Sequence, residues 1–302
     1  IWTEFGLISS VFATKKANIV WIMADDLGWG EPGCFPSDEV KRIIATPNID
    51  RYFGEEGTQF RHAYAGYTVC APSRTAFMTG IHSGHFDSRN LSGTSLNPSQ
   101  NVTTVAQLLS NAGYATGAFG KLAPLTDPVR QGFDDFLGQV DQSDCHEMYP
   151  EQIDAGMRPL IDVRERPGGI GWGNLPLIGN VGRERSRSAC MAEPESYNYT
   201  TDVFYDEAKA CLQRKSVESS PFFLYLSFTV PHAGGWNGTA ETGAPVPTDL
   251  QYENQTWPDV ERDHAAAITY VDQIVGDLVR TIQNLGIENS TLLLFASDNG
   301  AH

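Results

Sequence analysis

Four apolar runs, each stopped by polar or charged residues, constrain the fold of this 302-residue chain more than any other feature. Asn18-Ile19-Val20-Trp21-Ile22-Met23-Ala24 ends at Asp25 and Asp26, and residues 114–119 end at Gly120-Lys121. Pro221-Phe222-Phe223-Leu224-Tyr225-Leu226-Ser227-Phe228 leads to Pro231-His232, and Thr291-Leu292-Leu293-Leu294-Phe295-Ala296 leads to Ser297-Asp298-Asn299. Apolar runs of this kind, rich in β-branched and aromatic side chains, suit strands covered on both faces. Helical patterns lie between them: 101–113, 201–217, and 261–285, where Ala265, Ile268, Val271, Val275, Leu278 and Ile282 recur at three- and four-residue spacing. Strand and helix alternate, which predicts an α/β domain. In an open α/β sheet, function gathers at the carboxyl ends of the strands, where Asp25, Lys121, His232 and Asp298 stand.

Each of these residues has a plain reading beside the chemical one. Adjacent carboxylates repel, so Asp25 and Asp26 form either a solvated acidic turn or a pair of hard oxygen ligands for Ca²⁺ or Mg²⁺. Asp298 and Asn299 offer further oxygens from a second strand. Lys121 is either a surface lysine or an amine that grips an oxyanion, and His232 either a structural ring or an acid or anion ligand. In Val69-Cys70-Ala71-Pro72-Ser73-Arg74-Thr75-Ala76, Pro72 fits only the first turn of a helix. Cys70 is therefore expected just before or at a helix N-terminus, with the helix continuing through Phe77 and Met78 to Gly80. Unpaired N–H groups and the helix dipole favour anions there, and Arg74, one turn on, shares the face of Cys70. A small buried cysteine beside a surface arginine fits the same pentapeptide. Only three residues separate Cys70 from Arg74, too few for the longer loop with which a thiol phosphatase wraps an oxyanion.

Charge narrows the partners. With 21 Lys and Arg against 37 Asp and Glu, the formal charge is −16, which argues against nucleic acid and anionic membranes. Nothing approaches eighteen consecutive apolar residues, so no membrane span is expected. Five cysteines make an odd count. With Cys70 set aside, Cys34, Cys145, Cys190 and Cys211 allow three pairings, and the absence of any C-x-x-C leaves a zinc or thioredoxin-type site unsupported. Asn90, Asn101, Asn198, Asn237, Asn254 and Asn289 all satisfy N-x-S/T, which leans towards a glycoprotein of the secretory pathway. Residues 1–16 read either as the tail of a signal sequence, with Val11 and Ala13 as a small-residue cleavage pattern, or as an irregular lead-in. Residues 46–60 read as a turn, a short helix ending near Gly57 and a strand towards the Cys70 loop. From about 132 to 199 periodicity fades, and an irregular insertion over the active face, tied by disulfides, is expected.

Taken together, these segments resemble the type I sulfatases. Cys70-Ala71-Pro72-Ser73-Arg74 is similar to the family signature. Asn18 through Gly30, Thr46-Pro47-Asn48-Ile49-Asp50, Gly120-Lys121, Pro231-His232 and Ser297-Asp298-Asn299-Gly300 follow the family order from about residue 17 onward. The resemblance implies an alkaline-phosphatase-like sandwich, a central mostly parallel sheet flanked by helices, with residues 17–302 as the catalytic domain. It implies a Cys70 oxidised to formylglycine by a formylglycine-generating enzyme, and one Ca²⁺ held by Asp25, Asp26, Asp298, Asn299 and residue 70. Arg74, Lys121 and His232 would complete the catalytic set, stabilising the nucleophile and the sulfate and helping to protonate the leaving alcohol. A second geminal hydroxyl on the hydrated aldehyde would expel sulfate and regenerate the aldehyde, an exit an ordinary serine lacks.

Residues 201–204, 221–226 and 246–258 look closest to arylsulfatases and N-acetylgalactosamine-sulfatase-like members. The implied substrate is a sulfated sugar or aryl sulfate, and the implied location secreted or lysosomal. Two departures stand out. Ala123 occupies the place where many sulfatases carry a histidine two residues after the lysine. The family's second active-site lysine and smaller C-terminal domain normally follow the Asp-Asn-Gly segment, so the chain resembles a truncated sulfatase with that domain missing. The alternatives are a phosphate or phosphonate ester hydrolase of the same superfamily and a catalytically silent sulfated-glycan binder.

Overall fold

The computed structural model describes residues 16–35, 43–85, 95–96, 102–142, 144–157, 173–235 and 243–301. Its strands are β1 (Asn18–Asp25), β2 (Ala115–Lys121), β3 (Asp135–Gln139), β4 (Gln152–Met157), β5 (Gly173–Pro176), β6 (Phe222–Pro231) and β7 (Thr291–Ser297). They form one sheet in the order β5-β4-β3-β2-β6-β1-β7. From β3 to β7 every neighbouring pair is parallel, and only the pairings β3–β4 and β4–β5, at one edge, are antiparallel. Parallel pairing needs crossovers, and helices supply them. They are α1 (Pro47–Ile49), α2 (Cys70–Thr79), α3 (Val105–Asn111), α4 (Arg187–Ala192), α5 (Thr200–Ser216) and α6 (Asp259–Asn284).

The apolar runs are buried from both sides because successive side chains point to opposite faces. Val20 and Ile22 of β1, with Phe222, Leu224, Leu226 and Phe228 of β6, pack into one core with Phe204 and Leu212 of α5 and Val271, Val275 and Leu278 of α6. Trp21, Met23, Phe223 and Tyr225 point the other way, into a second core with Met78 of α2 and Ala106 of α3. The expected apolar positions of α6, Ala265 to Ile282, are all buried. Asp272 on α6 accepts the backbone N–H groups of Asn48 and Ile49 at 2.9 and 2.7 Å, satisfying the open end of α1.

Close approach of backbones shapes the centre of the sheet. Gly120 has φ +112, and a Cβ there would lie 1.9 Å from the Ser227 carbonyl oxygen of β6. Only glycine lets β2 reach Lys121 on this path.

Several sequence expectations are corrected here. Residues 58–69 form no strand; Phe60 and Tyr64 are exposed, and among the described residues that backbone joins no ladder of the sheet. The 132–199 segment is not wholly irregular, since it supplies β3, β4, β5 and α4, while residues 158–172 lie outside the described set. No disulfide forms: Cys34, Cys70, Cys145, Cys190 and Cys211 are all free thiols. Lys121 is no surface lysine but fully buried. Of the glycan acceptors, Asn254 and Asn289 are exposed, whereas the Asn198 side chain accepts the Gly179 N–H at 2.8 Å; Asn90, Asn101 and Asn237 lie outside the described residues. Among the described residues no helix is long and apolar enough to cross a membrane.

Candidate active site

Parallel order brings four strand ends to one edge of the sheet. In register, Asp25 of β1 stands opposite Pro231 of β6, Ala24 opposite Ser297 of β7, and Gly120 of β2 opposite Ser227 of β6. Asp25, Lys121, His232 and Asp298 are thereby delivered side by side from positions far apart in sequence. Asp26 turns the chain with φ +59, a conformation that aspartate tolerates better than most residues, and its N–H donates to Asp298 Oδ1 at 3.2 Å. Helix α2 starts at Cys70 and ends at Gly80 in the left-handed region. Its first turn points into the same edge: Ser73 Oγ donates to the Asp298 carbonyl, and the whole Arg74 side chain is buried beneath.

Arg74 Nε meets Asp298 Oδ2 at 2.8 Å and Nη2 meets Asp25 Oδ1 at 3.3 Å. Its Nη1 donates to Tyr225 Oη at 3.2 Å and to Ser227 Oγ. Lys121 Nζ meets Asp25 Oδ2 at 2.6 Å. Asp26 Oδ1 accepts from Asn299 Nδ2 at 2.6 Å, and Asp26 Oδ2 faces His232 Nε2 at 3.3 Å. All eight predicted site residues stand in one neighbourhood: Asp25, Asp26, Asp298 and Asn299, with Arg74, Lys121 and His232 in contact with them, and Cys70 opening the helix that carries Arg74. Ala123, the departure from the family pattern, is buried.

Electrostatics follow from that geometry. Burial opposes ionisation of Asp25, but Lys121 and Arg74 outweigh it and hold its carboxyl well below the usual range. Asp298 moves the opposite way, pushed up by burial and by the adjoining Asp25 charge against the pull of Arg74. Burial disfavours the charge on Arg74 and Lys121, yet Asp298 keeps Arg74 well above its ordinary value and Asp25 raises Lys121.

The donor set fits a hard cation. Ligand oxygens of Asp25, Asp26 and Asp298 lie within 4.8 Å of one another. Buried Asp25 Oδ1 and Asn299 Oδ1 accept no hydrogen bond. All-oxygen ligands suit Ca²⁺ or Mg²⁺ rather than zinc. A second triad, Asp25, His146 and His232, is equally compact, but the Lys121 ammonium already bridges Asp25 and His146.

Beside the cluster opens a cavity of about 670 Å³ lined by Asp26, Cys70, Gln142, His146 and His232, with Glu31 and His264 among its other walls. Gln142 Nε2 donates to Cys70 Sγ at 3.4 Å. Gln142 and His146 are absent from the sequence expectations. Both follow the carboxyl end of β3, the strand next to β2, so the rule that located Lys121 would have found them had β3 been recognised.

His264 and Glu31 form an ion pair on the cavity wall. Burial lowers the His264 pKa, but the hydrogen bond and charge of Glu31 raise it above the ordinary value. Its stabilisation is complete below the unfolded value near about pH 6.5 and is lost as pH climbs through the higher folded value. Glu31→Gln is expected to lower the melting temperature at about pH 6 and to converge with the parent at a pH above the raised folded value. Melting curves at both pH values check this, and a deficit that grows with pH would exclude the pairing.

A mostly parallel central sheet flanked by helices, superposing on solved structures of sulfatases, is the alkaline-phosphatase-like fold. The Sulfatase family model matches residues 17–302, and the chain belongs to that family. It is 28% identical to N-acetylgalactosamine-6-sulfatase of Rattus norvegicus over 317 residues, covering 100% of this chain and 53% of that protein. With Arylsulfatase D of Homo sapiens it shares 28% identity over 343 residues, covering 95% and 54%. The crystal structure of the PsFucS1 sulfatase from Pseudoalteromonas sp. superposes with a TM-score of 0.62 at 24% identity, covering 94% of this chain and 55% of that one. The chain spans about half the length of the curated relatives it matches.

Proposed function

We propose that this site hydrolyses the sulfate ester of a sulfated sugar, with residue 70 carrying the nucleophile after its conversion to formylglycine by a separate modifying enzyme. The observation that carries this reading is the convergence of Asp25, Lys121 and Asp298 beside a cavity whose wall includes Asp26, Cys70 and His232. The substrate class follows from the relatives, one of which is named for sulfate on N-acetylgalactosamine.

The residues divide the work. Asp25, Asp26, Asp298 and Asn299, joined by an oxygen of modified residue 70, would hold one Ca²⁺. Formylglycine supplies a hydrated aldehyde as nucleophile, and the cation supplies positive charge beside it. Three carboxylates stand against two buried cations, Arg74 and Lys121, so a divalent ion turns the local balance positive, as an anionic substrate requires. Arg74 keeps Asp25 and Asp298 in place, Lys121 draws the sulfate, and His232 on the cavity wall gives a proton to the departing alcohol oxygen as the S–O bond breaks. The exposed acceptors Asn254 and Asn289 support a secretory, glycosylated protein.

The test joins two measurements on protein produced with the modifying enzyme. Mass spectrometry of the peptide spanning residue 70 is expected to show the aldehyde, and nitrophenyl sulfate is expected to be turned over faster than nitrophenyl phosphate. A higher rate on the phosphate would reassign the site to phosphate esters. A fully modified protein that binds sulfated glycan without turnover would make it a binder.

A further inference from the structure

We propose that His146 is a positioning residue of this centre, its Nε2 accepting from the Lys121 ammonium while its ring holds the plane of His232. The proposal rests on the reading of Lys121 and His232 as groups that act on the bound ester.

Lys121 Nζ lies 3.1 Å from His146 Nε2. An ammonium has only protons to offer, so Nε2 is the acceptor and the ring proton sits on Nδ1. Asp25 Oδ2 takes another Lys121 proton at 2.6 Å. Because Lys121 is fully buried, water does not replace a lost acceptor, and an orphaned donor there costs its full desolvation. Two acceptors from different elements, the end of β1 and the turn Asp144–His146, thus define where the charge stands. The other contact of the ring is with His232, stacked with centroids 4.0 Å apart and planes 8° apart. A neutral ring suits a position between an ammonium and a second imidazole, and burial together with the Lys121 charge pushes the His146 pKa down to about 3.

The turn that carries His146 is anchored on both sides. Gln139 Nε2 donates to the carbonyls of Asp144 and Glu147 at 2.6 and 3.0 Å. The Gly235 N–H donates to the His146 carbonyl at 3.2 Å. A Cβ on Gly234 would lie 2.2 Å from that same carbonyl oxygen, so the segment just after His232 is seated directly on this turn. The His146 carbonyl thus anchors the segment that follows His232, while the stacked rings join the two side chains.

Three variants separate the contacts. His146→Leu removes both and is expected to lower kcat on nitrophenyl sulfate by about tenfold to hundredfold and, by leaving a buried Lys121 proton without its acceptor, to lower the melting temperature by a few degrees. His146→Gln restores an acceptor for Lys121 and is expected to recover most of that loss. His146→Phe keeps a flat ring without the acceptor and is expected to fall between them. Independently of turnover, ¹⁵N spectra of the parent chain at neutral pH are expected to show His146 protonated on Nδ1 alone. A proton on Nε2, a Leu variant as fast as the parent, or a Gln variant as slow as Leu would each overturn the proposal. Should no protein in the series hydrolyse the ester, the functional reading fails, and the histidine spectrum still decides the role of His146.

Discussion

Cys70→Ala is expected to lower sulfate-ester hydrolysis by at least about a thousandfold, the largest loss of any single change in this chain, while the protein stays folded. Cys70 is the first residue of α2, and among the described residues its sulfur accepts from Gln142. It also lines the cavity, so truncation enlarges an existing space rather than opening a sealed void, and alanine suits a helix. The carboxylates and Asn299 come from β1 and the end of β7, and their arrangement does not depend on the cysteine. Titration of the variant with Ca²⁺ is therefore expected to show binding largely retained. Cys70→Ser sharpens the test. A serine oxygen that attacks sulfur and releases the alcohol has no second hydroxyl with which to expel the sulfate, so mass spectrometry after incubation with nitrophenyl sulfate is expected to find the sulfate left on residue 70. Undiminished turnover in the alanine variant would remove Cys70 from the mechanism.

The parts of the molecule that were legible in sequence are those where burial leaves a signature. β1, β6 and β7 lie next to one another between helical layers, so their runs are apolar throughout, and the point where each run stops marks a strand end. α6 was legible because one face of a long helix meets the core at regular spacing. α2 was framed by Pro72 and Gly80. β4 and β5 left no such trace: they form the antiparallel edge, where Asn174, Leu175 and Pro176 are exposed, and β3 is only five residues long. Missing β3 also hid Gln142 and His146, which lie just beyond it. The burial of Lys121 depends on Asp25, 96 residues away, a pairing that no local pattern encodes. The chemistry of the strand tips was readable from residue type; which tips touch was not.

Arg74→Leu is expected to destabilise the protein by about 3–5 kcal/mol, the usual cost of removing one partner from a buried ion pair, and so to lower the melting temperature by about 10 °C. The guanidinium is the only group in contact with both Asp25 and Asp298 among the described residues' salt bridges, and it also holds Tyr225 and Ser227. Without it Asp298 loses its nearest counter-charge, and Asp25 keeps only that of Lys121. Arg74→Lys is expected to recover only part of the loss, because a point charge on a flexible stem does not fork between two acids. The same imbalance predicts a stronger response to metal: Ca²⁺ bound by the folded state alone stabilises it by mass action, and with one cation gone the cluster has more uncompensated charge to offer. Calcium is thus expected to raise the melting temperature of Arg74→Leu more than that of the parent. Equal shifts in both proteins would mean that the ion sits apart from the acids Arg74 holds, and an unchanged melting temperature without calcium would mean that the guanidinium does not hold them.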